Sequence, residues 1–68
     1  MVKNNLQSIR MQAPYMMNKK EFAQQIDVAE KQYLRYESGA IMPTLELCLR
    51  IAKKLNMPVE DIWFLQEN

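Results

Sequence analysis

Histidine is missing from these 68 residues, and cysteine and glycine occur once each. Without histidine the commonest general base, a Cys/His nucleophile pair and a His/Cys zinc cage are all unavailable, so neither an enzyme nor a metal site is expected. Cys48 has no partner for a disulfide within the chain, and a lone free thiol suits a reducing cytoplasm, the expected location. Long apolar runs are lacking as well. No stretch approaches the roughly 18 to 20 residues of a membrane span, and Met1 to Asn5 lacks the apolar centre of a signal peptide, so no membrane partner is expected. No cofactor and no small-molecule pocket is implied. A chain this short is expected to form one domain over residues 1–68 and to bury only about 60% of its unfolded surface. Without disulfides or a metal it depends on good helix packing or on a partner chain.

An excess of either charge is also lacking: nine Lys/Arg face eight Asp/Glu, for a net charge of +1. The distribution matters more than the sum. The first twenty residues carry Lys3, Arg10, Lys19 and Lys20 with no acid, whereas the last eleven carry Glu60, Asp61 and Glu67 with no base. Such segregation permits a basic face on a nearly neutral protein.

Pro14, Gly39, Pro43 and Pro58 divide the chain into short pieces that read as helices. Asn5 to Gln12 places Leu6 and Ile9, with Ala13, at helical spacing, and Pro14 stops it. Asn18-Lys19-Lys20-Glu21 has the form of a capping box, followed by Phe22, Ala23 and Ile26 as an apolar face. The periodicity breaks at Asp27, and a further helix runs from about Ala29 to Glu37, ended by Ser38-Gly39. Pro43-Thr44 caps a fourth helix, whose apolar stripe is read as Leu45, Cys48, Leu49, Ala52 and Leu55, with Arg50, Lys53 and Lys54 toward its C-terminal end. Asn56 is expected to end it in a left-handed conformation. Pro58 opens a last helical turn or two, with Val59, Ile62, Trp63, Phe64 and Leu65 as an apolar cluster. The expected fold is therefore all-α, with five short helices.

The order of landmarks between Lys19 and Gly39 resembles the helix-turn-helix of the Cro/phage-repressor (XRE) family. Phe22-Ala23 and Ile26 come first, then the turn at Asp27-Val28, then Tyr33, Tyr36-Glu37 and Gly39. The resemblance continues through Pro43-Thr44-Leu45, Leu49-Arg50-Ile51-Ala52 and Leu55 to Val59-Glu60-Asp61-Ile62, and so covers roughly residues 5 to 64. The layout is most similar to the very short dimeric repressors of that family. It implies a lambda-repressor-like DNA-binding domain with the helix-turn-helix at about residues 18–38. Two departures stand out. Asp27 occupies a turn position that is usually glycine, and the segment from Arg10 to Asn18, through Ala13-Pro14-Tyr15-Met16, is about two residues longer than usual.

A major groove about 12 Å wide admits one α-helix, whose N-terminal residues meet base edges. On the second motif helix Glu30, Lys31, Leu34, Arg35 and Ser38 form one stripe, while Val28, Tyr33 and Tyr36 turn toward the core. Lys31 and Arg35 are like charges at i,i+4, which costs an isolated helix roughly 0.2–0.5 kcal/mol. Facing DNA, both become donors. Arg35 suits guanine O6/N7, Lys31 a guanine or phosphate, Gln32 an adenine edge or thymine methyl, and Glu30 a cytosine amino group, so Glu30, Lys31, Gln32 and Arg35 are the expected base readers.

The resemblance further implies that Asn18 and Lys19 grip backbone phosphate, assisted by Lys20 and Ser38, and that Arg10 and Glu37 form a structural ion pair. Asn18 serves as a helix cap on either reading. Cys48 is expected in the core, and the six methionines as core filling. Tyr33 and Tyr36 are expected in the core or at its rim, with a phosphate hydrogen bond as the alternative. Ile62, Trp63, Phe64 and Leu65 exceed what a four-helix core needs to cover. They are expected to form a homodimer interface within residues 58–68, with Met1 to Asn5 pairing as a short strand against Gln66 to Asn68; completion of the monomer core is the competing reading. The expected function is a dimeric transcription regulator that represses by binding a palindromic operator in double-stranded DNA. The rival is a protein-interaction module, antitoxin-like or an adaptor, that keeps the fold without reading DNA.

Overall fold

Local chemistry accounts for most of the helix ends. In the computed structural model, which describes residues 1–67, Asn18 caps helix α2 (Lys19–Gln25) through a complete capping box: its Oδ1 accepts from the Glu21 amide at 2.8 Å and its own amide donates to Glu21 Oε1 at 3.4 Å. Thr44 Oγ1 accepts from the Leu47 amide at 3.2 Å and starts α4 (Leu45–Leu55). Between them α3 (Glu30–Ser38) has no side-chain cap, but Glu30 places a negative charge on its positive end. Asp27, Gly39 and Asn56 follow α2, α3 and α4 with φ of 63°, 84° and 56°, and all three are residue types that tolerate left-handed backbone. Gly39 is required by that angle alone, because an added Cβ would meet nothing within 4 Å. The long connection before α2 contains a further left-handed residue, Met16 at 48°, which no sequence signal marks.

The first helix, α1 (Leu6–Met11), buries Leu6 and Ile9; Ala13 lies beyond its end and is exposed, correcting its assignment to the apolar face. Phe22 holds the middle of the core, meeting Tyr15 and Tyr33 edge-on at ring-centroid distances of 5.4 and 5.5 Å. Cys48 is buried with its Sγ 3.7 Å from the Pro43 carbonyl oxygen, and burial raises the thiol's pKa, so it packs rather than reacts.

On α4 the expected Cys48, Ala52 and Leu55 are buried, Ile51 joins them, and the expected Leu45 and Leu49 are instead 73% and 51% exposed. Both stripes have helical spacing. The core selects the one centred near Cys48 and Leu55, which leaves Leu49 about 100° round the helix and Leu45 on the first turn, outside the contact.

The C-terminal segment departs from the all-α expectation. Residues Val59–Asp61 form a 3₁₀ turn, and Trp63–Leu65 form strand β2, which pairs antiparallel with β1 (Val2–Asn4) in the register Val2 to Leu65, Lys3 to Phe64 and Asn4 to Trp63. The described residues therefore form four α-helices, a 3₁₀ turn and a two-stranded sheet. Three successive large apolar residues suit a pleated strand better than a helix end, since alternate side chains go to opposite faces. Trp63 faces the core and Phe64 faces out. The N-terminal strand was expected to pair with Gln66 to Asn68. Its actual partner lies a few residues earlier; Gln66 contributes one bond from its amide to the Met1 carbonyl at 2.9 Å, and Asn68 lies outside the described residues. No helix among the described residues is long and apolar enough to cross a membrane.

Candidate DNA-binding surface

α2 and α3 meet across the turn at Ile26 to Ala29, closed by a bond from the Val28 amide to the Ala23 carbonyl at 2.9 Å. The two faces of α3 divide by chemistry. Tyr33 and Tyr36 are buried and Glu37 is half-buried, whereas Glu30, Lys31, Leu34, Arg35 and Ser38 are exposed along one stripe. Gln32 is also exposed, but at about 100° per residue it falls roughly 60° beyond Arg35, at the rim next to Tyr36. Of the four expected base readers, Glu30, Lys31 and Arg35 thus share a face and Gln32 stands at its edge. Neither Lys31 nor Arg35 takes part in any of the three ion pairs among the described residues.

Behind this face lies a polar cluster centred on Glu37. Arg10 Nε donates to Glu37 Oε1 at 2.9 Å, the Tyr33 hydroxyl donates to the same oxygen at 2.6 Å, and Lys19 Nζ stands 3.6 Å from Oε2. Arg10 also donates from Nη1 to the Met17 carbonyl at 2.9 Å. α1, the connection before α2, and α3 are joined at one point. Burial alone would raise the Glu37 carboxyl's pKa, but hydrogen bonds from Tyr33 and Arg10, with the charges of Arg10 and Lys19, outweigh it and hold the group below its ordinary value. The Arg10 guanidinium is shifted up in turn, chiefly by its bond to Glu37. Burial, and then the bond to Glu37, push the Tyr33 phenol well above its ordinary range.

The expected pair of Arg10 and Glu37 is thus present, within a larger cluster. The Tyr33 hydroxyl goes to Glu37 and not to the alternative partner, a phosphate. The sequence carried a signal for that contact, since Tyr33 and Glu37 are four apart on one helix.

The expected phosphate contacts are placed less uniformly. Lys19 and Lys20 are exposed at the start of α2. Asn18 spends both its side-chain oxygen and its amide on the capping box. Ser38 donates its hydroxyl proton to the Arg35 carbonyl at 3.1 Å and accepts from the Ala40 amide at 3.3 Å, so it closes the end of α3. At the C-terminus, Ile62 and Trp63 are buried in the chain's own core, while Phe64 and Leu65 remain 38% and 66% exposed. Of the four residues expected at a dimer interface, these last two are free to meet a partner.

A helix-turn-helix family profile matches residues 6–62, most of the chain. Comparison with curated proteins yields no match. The matched span includes α1 to α4 and the 3₁₀ turn, and therefore the motif, its supporting cluster and the core that positions them. With the exposed stripe of α3 and the Arg10 to Glu37 tie behind it, the chain belongs to the Cro/C1-type (XRE) helix-turn-helix family of DNA-binding regulators.

Proposed function

We propose that the protein is a transcription repressor that binds a palindromic operator as a homodimer, with α3 of each copy in the major groove. The observation that carries this reading is the exposed like-charge pair Lys31 and Arg35, bound to no carboxylate among the described residues, on a helix whose other face is fully committed to the core. Water gives such a pair no benefit, and duplex DNA gives both cations an acceptor. Glu30, Lys31 and Arg35 read bases, with Gln32 at the margin, and Lys19 and Lys20 hold phosphate.

A dimer is supported by dimensions and by exposure. The described residues extend 33 Å at most and carry one reading helix, whereas palindromic half-sites present successive major grooves roughly 34 Å apart. Phe64 and Leu65 lie beside Val2 on the terminal ribbon, and a lone two-stranded sheet is marginal without further cover. The rival reading, a protein-interaction module, is favoured by one observation: Met42, Leu45 and Leu49 leave apolar side chains exposed around the start of α4.

Selection from a random duplex pool, with sedimentation of the free protein, separates the two. An enriched palindrome and a dimeric species are expected. No enrichment at low salt together with a monomer would favour the rival.

A further inference from the structure

The charge segregation of the first twenty residues has a structural outcome that the motif does not absorb. Arg10 and Lys19 converge on Glu37, and Lys3, on β1, lines the same cleft as Glu37. Asn4 ties this strand to α3, donating from Nδ2 to the Tyr36 carbonyl at 2.9 Å. Between strand and helix end lies an open cleft of about 340 Å³ lined by Met1 to Asn4 and by Glu37, Ser38 and Gly39.

Two features make the cleft suitable for an anion. The first is charge. Both Glu37 oxygens are already engaged, Oε1 by Arg10 and Tyr33 and Oε2 by Lys19, and Lys3 belongs to none of the ion pairs among the described residues. Lys3 is thus the cation in the cleft lining, beside a carboxylate whose charge Arg10 and Lys19 already meet from outside that lining. The second is the strand edge. The bonds from the Gln66 amide to the Met1 carbonyl and from the Asn5 amide to the Ile62 carbonyl fix Met1, Lys3 and Asn5 as the residues whose backbone faces β2. By alternation the amides of Val2 and Asn4 point to the free edge of β1. Ser38, at the other side of the cleft, is the last residue of the DNA-facing stripe.

We propose that this cleft receives a backbone phosphate of the bound duplex, with Lys3 as its cation, so that β1 extends the DNA-contacting surface beyond the helix-turn-helix. The inference rests on the DNA-binding reading above and adds to it a contact outside the motif.

The test is salt titration of duplex binding by the full chain, on a selected operator and on a random duplex. Lys3→Gln should lower the log–log salt slope by about 0.9, the increment for one phosphate, and weaken both duplexes by the same factor. Lys3→Arg should restore the slope, and Lys54→Gln, which removes the same charge at the far end of α4, should leave it unchanged. Equal losses for Lys3→Gln and Lys54→Gln would overturn the proposal, because the effect would then be general charge. An unaltered slope for Lys3→Gln alongside a flattened one for Lys19→Gln would overturn it while leaving the DNA-binding reading standing. If the unmodified chain binds no duplex even at low salt, both fail. A measurement without variants is the amide spectrum during duplex titration: Val2, Asn4, Ser38 and Gly39 should shift, and stationary signals at all four would refute the contact.

Discussion

α3 and α4 both carry a charged pair four residues apart, and the two pairs have opposite logic. On α4, Glu46 and Arg50 bridge each other on a solvent face, as suits a helix whose outer surface has only water to satisfy. On α3, Lys31 and Arg35 repel, and no carboxylate among the described residues pairs with them. Helix stability is not what selects the α3 pair. The contrast sharpens on the inner face of α3, where Tyr33 and Glu37 meet at 2.6 Å. One helix therefore holds two kinds of surface, an inner one whose Tyr33 hydroxyl and Glu37 carboxylate are engaged and an outer one kept available.

The largest effect should come from breaking the inner face. Glu37→Ala would strand the Arg10 guanidinium, almost buried, and release the Tyr33 hydroxyl, at a cost of about 3–5 kcal/mol. That is comparable with the whole stability of a domain this size, at about 0.05–0.15 kcal/mol per residue. Thermal melting should show a largely unfolded protein. A double variant, Arg10→Leu with Glu37→Leu, should recover much of the loss; if it melts no higher than Glu37→Ala, the lone buried charge is not the cause.

The same cluster predicts a pH dependence. Because the Glu37 carboxyl is held below its unfolded value, of about 4.3 for glutamate, its contribution is fully present above that pH. It is lost as pH falls through the folded value. Melting temperature should decline from about pH 5 downward, and Glu37→Gln should make that decline shallower.

Next in size is the outer face. Arg35→Ala should leave melting unchanged and weaken operator binding by about 1–3 kcal/mol, roughly five- to 150-fold, with little change on random duplex. Equal losses on both duplexes would remove Arg35 from the base readers. Lys31→Glu separates the two roles most directly. It should raise helix stability by about 0.5 kcal/mol, since it converts repulsion into a favourable i,i+4 pair, while abolishing operator binding. The smallest effect belongs to α4, where Glu46→Ala should cost about 0.3–0.5 kcal/mol and leave duplex affinity untouched.

How far the sequence could be read depended on the range of the interaction. The capping box at Asn18, the Thr44 cap and the left-handed residues at Asp27, Gly39 and Asn56 are all settled within a few residues, and all were legible. So was the division of α3 into a core face and an outer stripe, because 3.6-residue periodicity sorts side chains before any packing occurs. The stripe on α4 is legible only in part, for the complementary reason. Its sequence contains two overlapping apolar stripes, and only the position of the other elements selects Ile51 over Leu49.

Long-range pairings were hidden more completely. Asn4 reaches the Tyr36 carbonyl and Lys3 lies opposite Phe64, across sequence separations on which no spacing rule acts. The sequence by itself determined most helix ends, the motif and the chemistry of the exposed face of α3, since each is set by residues within a turn or two of one another. Only the tertiary structure decided that Trp63 to Leu65 would form a strand, that Lys19 would join Arg10 and Tyr33 on Glu37, and that β1 would lie beside the end of α3. Those outcomes depend on which distant surfaces can be buried together.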